Sequence, residues 1–247
     1  MNYKDKIAIV TGASSGIGRA TAELLDKKGA KVALVARSQD KLISLSKNLT
    51  NAFVVPTDMG DEKAVLEMVE KIYSHFGTID ILINCAGVGY DSAIEDIDIA
   101  LYKKLFSVNV IGSLLLMQHV IPIMRKQKKG AIVNVSSGTA LMSLPHMGAY
   151  SSLKRALAGL SLTANEELKK DTISVSVVYP FITKTNFEQN TITNKGQKNE
   201  DDSIYENTSL PKADLPEQVA EKILYAIDSG DPEVYAHDWM NPHLKRK

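Results

Sequence analysis

Short apolar runs alternate with longer amphipathic stretches along most of the chain. The runs are rich in Val, Ile and Ala and lie at residues 7–10, 31–36, 52–56, 79–84, 131–136 and 173–179. They are almost continuously apolar rather than alternating, which is typical of parallel strands covered on both faces. The pattern therefore predicts six core strands, with residues 233–236 as a candidate for a short final strand.

The stretches between the runs have the spacing of helices. They cover residues 16–28, 39–49, 61–76, 99–126, 149–169 and 216–229. Gly29 and Gly77 follow the first and third of them, where a left-handed glycine ends a helix at little cost. The alternation predicts right-handed crossovers, and hence an α/β fold with a doubly wound parallel sheet and helices on both faces. No repeat or linker divides the 247 residues, so we expect a single domain.

The charge balance narrows the classes of partner. The chain has 29 Lys and Arg against 29 Asp and Glu, whereas a general nucleic-acid binder needs a positive excess. The one cysteine, Cys85, allows no intramolecular disulfide, which fits a reducing compartment. Polar residues interrupt the most apolar region, residues 108–124, which is shorter than the ~20 residues of a membrane-spanning helix. We expect a cytoplasmic protein without nucleic-acid or membrane partners.

Glycines occupy the connection after the first predicted strand. Residues 11–18 read Thr-Gly-Ala-Ser-Ser-Gly-Ile-Gly and lead into the first predicted helix. Glycines in such a turn keep it tight, let backbone N–H groups approach a pyrophosphate and let the helix pack on the sheet. The helix N-terminus then presents unpaired N–H donors to the anion. The connection predicts a dinucleotide site rather than a turn without a ligand.

A tyrosine and a lysine one helical turn apart form a second candidate. Tyr150 and Lys154 stand at positions i and i+4 of a predicted helix, so their side chains share one face. A neighbouring ammonium is expected to lower the pKa of the phenol towards neutrality, where acid–base catalysis is efficient. Ser137 ends the preceding strand, at the carboxyl edge of the sheet where doubly wound folds bind ligands.

Together these motifs resemble those of the short-chain dehydrogenase/reductase family. The resemblance spans about residues 5–185 and includes the Gly-x3-Gly-x-Gly spacing and the Ser137, Tyr150 and Lys154 triad. It implies a Rossmann-like fold and the reduction of a carbonyl with a nicotinamide cofactor, or the reverse oxidation. It also implies that Tyr150 exchanges the proton and Ser137 hydrogen-bonds the substrate oxygen. Lys154 would lower the pKa of Tyr150 and bind the nicotinamide ribose, and Asn109 would complete a proton relay.

The resemblance extends to the cofactor contacts, with two departures. Residues 84–87 read Asn-Cys-Ala-Gly, so Cys85 replaces the family's second Asn; a small buried residue is expected there rather than a reactive thiol. Phe181 replaces the glycine of a Pro-Gly pair, and either narrows the substrate pocket or shifts the path of the loop. The expected cofactor-binding residues are Gly12, Ser14, Ser15, Gly16, Ile17, Gly18, Arg37, Asp58, Asn84, Ala86, Gly87, Tyr150, Lys154, Pro180, Thr183 and Thr185.

The end of the second strand bears on the choice of cofactor. An acidic residue about 20 positions beyond the glycines would hold a ribose 2′-hydroxyl, as in NAD. Arg37 stands at the tip of the strand instead, where its guanidinium suits a 2′-phosphate, and Ser14 can add a hydroxyl. NADP is therefore expected rather than NAD, unless Arg37 is only a solvated residue at the strand end.

The function expected is that of an NADP-dependent oxidoreductase acting on a small carbonyl or alcohol substrate. A 3-oxoacyl thioester reductase is one option within this class, and a non-catalytic NADP-sensing regulatory protein is an alternative outside it. The five histidines lack metal-ligand spacing, so no metal is expected. Residues 183–214 are polar and form either a solvated loop or a mobile lid over the substrate. The resemblance implies a homodimer or homotetramer, paired through the long helix and the Tyr150 helix.

Overall fold

Seven parallel strands form the central sheet of the computed structural model, which describes residues 1–193 and 212–244. Their order is β3-β2-β1-β4-β6-β7-β9, so the order reverses between β1 and β4. A separate two-stranded parallel ladder joins β5 and β8. The strands are β1 (Ile7–Thr11), β2 (Lys31–Ala36), β3 (Ala52–Pro56), β4 (Ile81–Asn84), β5 (Tyr90–Asp91), β6 (Gly130–Val135), β7 (Ile173–Tyr179), β8 (Ile192–Thr193) and β9 (Glu233–Tyr235).

Helices cover both faces of the sheet. They are α1 (Gly16–Lys27), α2 (Gln39–Ser46), α3 (Glu62–Phe76), α4 (Ile99–Phe106), α5 (Gly112–Gln127), α6 (Gly148–Leu168) and α7 (Pro216–Ser229). Side chains of α1, α2 and α7 pack in one core layer, and those of α3 and α5 with the end of α6 pack in the other. The predicted α/β fold with a doubly wound parallel sheet is thereby confirmed.

The first strand shows why the apolar runs are continuous. Ala8 and Val10 lie in the layer with α1 and α7, whereas Ile9 lies in the layer with α3 and α5. Successive side chains of a strand point to opposite faces of its sheet. Both faces are covered here, so each position of β1 is buried and apolar or small.

Several predicted elements differ from the structure in their extent, and the helix predicted over residues 39–49 ends at Ser46. β4 begins at Ile81 rather than at residue 79. The carboxylate of Asp80 instead accepts hydrogen bonds from the backbone of Ile7 at 3.0 Å and from Lys6 Nζ at 2.8 Å. The helix predicted over residues 99–126 is present, but a π-helical turn, Ser107–Ile111, joins α4 to α5 within it.

The combined helix Ile99–Gln127 is long and apolar enough, by length and composition alone, to cross a membrane. Core helices of soluble proteins meet the same criterion. Leu116, Val120 and Met124 are fully buried in the core layer with α3, as expected of a helix that packs on a sheet. Other apolar residues of α5, Leu114 and Leu115 among them, are only partly buried against that layer.

Candidate active site

The glycine connection brings the backbone close to the carboxyl end of β1. Gly12 and Gly16 have φ angles of +70° and +52°, a region that favours glycine. A Cβ at Gly18 would overlap the carbonyl group of Gly12, and a Cβ at Gly12 would lie 3.0 Å from the backbone nitrogen of Ala86. Any side chain at these positions would fill the space by which a pyrophosphate approaches the start of α1, so the residues present fit a dinucleotide.

The start of α1 keeps its N–H donors available. Ser15 is the N-cap residue, yet its side chain makes no capping hydrogen bond within the described part of the chain. Ser14, Ser15 and Gly16 line a cavity of about 540 Å³ beside this helix start. Ile17 packs against the core layer of α1 and holds the first turn in place.

A threonine hydroxyl joins the glycine connection to the turn after β4. Thr11 Oγ1 accepts hydrogen bonds from the backbone N–H groups of Cys85 and Ala86, both at 3.0 Å. The neighbouring Gly87 is equally constrained, since a Cβ there would lie 2.8 Å from Asn109 Oδ1 and 3.2 Å from Lys154 Nζ. The two turns are therefore packed backbone to backbone, and Gly87 lies against Asn109 and Lys154.

Asn84, a predicted cofactor contact, belongs to a buried chain of side-chain hydrogen bonds. Its Nδ2 donates to Asn134 Oδ1 at 2.7 Å, and Asn134 Nδ2 donates to Ser161 Oγ at 2.7 Å. All three residues are buried. This series of hydrogen bonds links β4 and β6 to α6, the helix that carries Tyr150 and Lys154. Asn84 Oδ1 is a buried acceptor without a partner in the described structure.

The proton-transfer candidates meet at the carboxyl edge of β6. Tyr150 lies in the first turn of α6 and is 5% exposed, and its hydroxyl is hydrogen-bonded to Ser137. Ser137 lies two residues after the end of β6, and its Oγ also accepts from the backbone N–H and the hydroxyl of Thr139, at 3.2 and 3.1 Å. The structure thus brings the predicted serine together with the tyrosine that stands 13 residues later in the sequence.

The lysine and the asparagine lie behind the tyrosine. Lys154 Nζ donates to the carbonyl of Val135 at 3.0 Å and lies 5.7 Å from the centre of the Tyr150 ring. Asn109 sits in the π-helical turn, a local irregularity that is frequent at functional sites. Its Nδ2 donates to the carbonyl groups of Val88 and Leu105, at 3.2 and 3.0 Å. Lys154 and Asn109 are both buried.

Burial dominates the protonation of the site in this structure. It raises the pKa of Tyr150, the hydrogen bond from Ser137 lowers it, and the nearby Cys85 raises it further. This direction is opposite to the one expected from the neighbouring ammonium. Burial also lowers the pKa of Lys154 to about 8, because it takes the positive charge of the ammonium out of water. Burial raises the pKa of the Cys85 thiol to about 11, which disfavours the thiolate, although by surface area the side chain is only partly buried.

A second cavity, of about 180 Å³, lies where β2 and β3 end. Arg37, after β2, and Asp58, after β3, which the sequence predicts as cofactor contacts, line it together with Lys104 of α4. Asp58 Oδ1 accepts from the backbone of Gly60 at 2.9 Å. Arg37 is exposed and forms no ion pair with the described residues. Lys104 was not foreseen, because nothing in the sequence of α4 places it beside β2.

The segment after β7 contains the remaining predicted contacts. The carbonyl of Pro180 accepts from Gly138 N at 2.6 Å, so this segment lies directly beside Ser137. Thr183 Oγ1 donates to the carbonyl of Phe181 at 3.0 Å and is thus engaged by its own loop. Thr185 reaches the glycine connection, because a Cβ at Gly16 would lie 2.9 Å from its Cγ2.

Part of the predicted mobile segment, residues 183–214, lies outside the described residues. Its first part contains a 3₁₀ turn, Glu188–Asn190, and β8, which pairs Ile192 with Tyr90. Phe187, just before that turn, stacks at a tilt on Tyr150 with ring centres 5.5 Å apart. Sequence reasoning missed Phe187, since an aromatic residue in a polar segment carries no motif.

In residues 1–193 and 212–244, no group of three or more His, Cys, Asp or Glu side chains is arranged to hold a metal ion.

Comparison with known proteins agrees with this geometry. The profile of the short chain dehydrogenase family matches residues 6–196. An uncharacterised oxidoreductase of Staphylococcus haemolyticus is 34% identical over 224 residues, 90% of each chain. Another, of Staphylococcus aureus, is 34% identical over 225 residues, 90% of this chain and 91% of its own. The chain belongs to the short-chain dehydrogenase family and is an oxidoreductase by membership.

Solved structures show the same fold. A short-chain dehydrogenase from Streptomyces avermitilis superposes with a TM-score of 0.86 at 28% identity, covering 98% of this chain and 93% of its own. A short-chain dehydrogenase/reductase from Burkholderia phymatum, in complex with NAD, superposes with a TM-score of 0.89 at 24% identity. The match to the Burkholderia phymatum structure covers 99% of this chain and 93% of that chain, and it shows the similarity of the fold.

Proposed function

We propose that this protein is an NADP-dependent carbonyl reductase or alcohol dehydrogenase in which Tyr150 is the proton-transfer residue. The observation that carries the proposal is the meeting of Ser137, Tyr150, Lys154 and Asn109 at the sheet edge. Ser137 follows a strand, Tyr150 and Lys154 lie on one helix, and Asn109 lies in a π-helical turn. Only the folded chain brings these separate segments together.

The residues divide the chemistry between them. A bound nicotinamide dinucleotide supplies or accepts the hydride. Tyr150 donates its proton to the oxygen that develops charge during reduction, and Ser137 stabilises that oxygen with a hydrogen bond. Lys154, whose Nζ lies 5.7 Å from the centre of the Tyr150 ring, favours the phenolate that remains, and Asn109 is hydrogen-bonded to Val88 in the turn beside the lysine. In oxidation Tyr150 acts as the base.

The protonation of the site suits the reductive direction. The raised pKa of Tyr150 keeps the phenol protonated at neutral pH, which a general acid requires. Oxidation instead needs the phenolate. We therefore expect the rate of alcohol oxidation to rise with pH through the alkaline range, while carbonyl reduction is favoured near neutrality.

The preference for NADP over NAD rests on the second cavity. Arg37 and Lys104 place two cations there beside the carboxylates of Asp58 and Asp61, and β2 has no carboxylate at its tip to hold a ribose hydroxyl and repel a phosphate. Lys41 lines the cavity next to Ser14 and Ser15, on the other side of the glycine connection. These groups support NADP by their charge.

Tyr150→Phe tests the proposed function. The purified protein is assayed by the loss of reduced nicotinamide absorbance across a panel of ketones and aldehydes. The variant is expected to lose turnover by about 10²- to 10⁴-fold, since it removes the general acid, while its affinity for NADPH changes little. Tyr225→Phe, at an exposed tyrosine of α7, is the matched control and should keep full activity.

Equal turnover by wild type and Tyr150→Phe would remove Tyr150 from the chemistry. Binding of NADPH without turnover of any carbonyl or alcohol would instead favour a non-catalytic, cofactor-sensing protein. We also propose a cytoplasmic homodimer or homotetramer, supported by the partly buried apolar residues of α5. Sedimentation of the wild type measures that state, and a monomer would contradict it.

A further inference from the structure

Arg155 comes directly after Lys154 on α6, and its guanidinium holds the backbone that follows Ser137. Its Nε donates to the carbonyl of Ala140 at 2.9 Å, and its Nη2 donates to the carbonyl of Met142 at 2.6 Å. A guanidinium presents its N–H groups as a rigid planar fork, so two of them can hold two carbonyl groups of one segment. We call residues 137–142 the serine turn. Arg155 links this turn to α6.

The partners of Arg155 differ from those of two other arginines. Arg19 forms a salt bridge with Glu23, and Arg125 forms one with Asp171. Arg155 forms no salt bridge in the described part of the chain, and its side-chain hydrogen bonds there go to the serine turn alone. A charged donor makes a stronger hydrogen bond to a carbonyl than a neutral donor does. Arg155 therefore acts on the backbone of one turn rather than on a neighbouring carboxylate.

The serine turn also orients the hydroxyl of Ser137. Ser137 is the N-cap residue of the 3₁₀ turn Gly138–Leu141, and its Oγ accepts from both the backbone N–H and the hydroxyl of Thr139. A serine hydroxyl has two acceptor lone pairs and one proton to donate. Because Thr139 occupies both lone pairs, the proton of Ser137 is left for the Tyr150 hydroxyl or for a substrate oxygen.

Ala140 connects Arg155 to Ser137 through the backbone. Its N–H donates to the carbonyl of Ser137 at 3.0 Å, and its own carbonyl accepts from Arg155. On the other side of the turn, Gly138 N donates to the carbonyl of Pro180. The serine turn is thus held between α6 and the segment after β7. A displacement of Ala140 on the α6 side would move Ser137 with it.

We propose that Arg155 is a positioning residue, which keeps the hydroxyl of Ser137 within hydrogen-bond reach of the Tyr150 hydroxyl by holding the serine turn against α6. The inference rests on the proposed function and deepens it. Arg155 and Tyr150 belong to the same helix, so the arginine fixes the serine in the frame that carries the proton donor. A misplacement of about 1 Å in a reacting group can lower a rate ~10²-fold. A loosely held Ser137 would therefore lower the rate although its hydroxyl is still present.

A double-mutant cycle tests whether Arg155 acts through Ser137. The full-length protein with NADPH, and with the carbonyl compound of the panel that it reduces fastest, is compared with Arg155→Met, Ser137→Ala and the double variant. Arg155→Met should lower kcat about tenfold, while KM changes less than about threefold. In the Ser137→Ala background the same substitution should change kcat less than about twofold, because the group that Arg155 positions is gone.

The pH profile of alcohol oxidation separates positioning from a general loss of structure. The hydrogen bond with Ser137 lowers the pKa of Tyr150. The alkaline rise of the oxidation rate should therefore move to higher pH in Arg155→Met, as in Ser137→Ala. Arg155→Lys keeps the charge and one donor group but not the fork, so it should recover part of kcat.

Hydrogen exchange tests the anchoring of the serine turn without cofactor or substrate. The backbone amides of residues 138–142 should exchange about tenfold faster in Arg155→Met than in the wild type, because two hydrogen bonds to the turn are lost. Arg125→Met is the matched control. Its salt bridge to Asp171 lies at the opposite edge of the sheet, before β6 and β7, so kcat and this exchange should stay unchanged.

Equal fold losses of kcat from Arg155→Met in the wild-type and Ser137→Ala backgrounds overturn the inference, as does an unchanged kcat or an unchanged exchange of residues 138–142. If the wild type turns over no substrate in either direction, the proposed function fails and the positioning role fails with it. Faster exchange in that case leaves only a structural link between Arg155 and the turn. If Arg155→Met no longer binds NADPH, Arg155→Gln replaces it in the cycle, and equal losses in both backgrounds overturn the inference.

Discussion

The glycine connection and the surroundings of Ser137 lie at the same edge of the sheet but are built by different means. At the glycine connection the backbone is the recognising element, and Gly12 and Gly18 matter because a side chain there would collide with backbone. Around Ser137 the side chains matter, and Phe181 and Met240 come from segments far apart in the chain. A backbone site suits a ligand shared by many proteins, whereas a side-chain site distinguishes one substrate from another.

The two regions also differ in their charge. Arg37, at the end of β2, is exposed. Tyr150 and Lys154 are buried, and burial raises the pKa of Tyr150 and lowers that of Lys154, which favours the neutral form of each. In the proposed function, the exposed cation attracts the cofactor phosphate at the first region, and the buried groups transfer the proton at the second.

Adding a methyl group at the glycine connection is expected to have the largest effect on stability and cofactor binding. Gly18→Ala forces the new Cβ against the carbonyl of Gly12, and such overpacking costs about 1–3 kcal/mol in the free energy of unfolding. It should also weaken NADPH binding by more than ~10-fold, because α1 must move. Thermal or urea unfolding and a fluorescence titration measure both.

Gly159→Ala is the matched control for that change. Gly159 lies within α6, and a Cβ there meets no heavy atom within 4 Å. The substitution should stabilise the protein by about 0.5–1 kcal/mol through helix propensity. If Gly18→Ala and Gly159→Ala changed the free energy of unfolding by the same amount, the close approach of Gly18 to Gly12 would have no energetic role. The glycine connection would then not depend on backbone packing.

Removing the exposed charge is expected to have an intermediate effect. Arg37→Ala should weaken NADPH binding about tenfold and NADH binding little, since a charge-assisted hydrogen bond to phosphate contributes about 1.5 kcal/mol. Lys63→Ala, at an exposed position of α3, serves as control. An unchanged ratio of the two affinities would make Arg37 a solvated surface residue.

The buried lysine gives the smallest effect, seen as a dependence of stability on pH. Burial lowers the pKa of Lys154 from 10.5 to about 8, so between these values the unfolded chain binds a proton that the folded chain has lost. The contribution of this group to the free energy of unfolding therefore rises with pH in that window and is most unfavourable below it.

Lys154→Met removes this dependence. From pH 7 to 10 the stability of the wild type should rise relative to that of the variant by on the order of 1 kcal/mol. Chemical denaturation of both, without cofactor, measures the difference. The raised pKa values of Tyr150 and Cys85 act in the opposite direction but in both proteins. If the free energies of unfolding of the two proteins changed with pH in parallel, burial would not disfavour the charge on Lys154.

Much of the fold could be predicted because its signals are local. Continuous apolar runs mark strands covered on both faces, and glycines after α1 and α3 mark helix ends. The π-helical turn at Ser107–Ile111 could not be predicted, since it depends on how Asn109 bonds to Val88 and Leu105 in the packed structure. The same holds for Phe187 and Lys104, which have no local motif.

The sequence by itself determined the family, the sheet and the identity of the proton-transfer candidates. These features depend on backbone sterics and on the spacing of residues within one helix, and both are set by residues that are close in the sequence. Only the tertiary structure decided the protonation of Tyr150 and the surroundings of Phe181. The first depends on how much water the fold removes from the phenol and the ammonium, and the second on a C-terminal segment brought from more than 50 positions away. Desolvation and long-range contact are properties of the assembled chain, and no run of adjacent residues contains them.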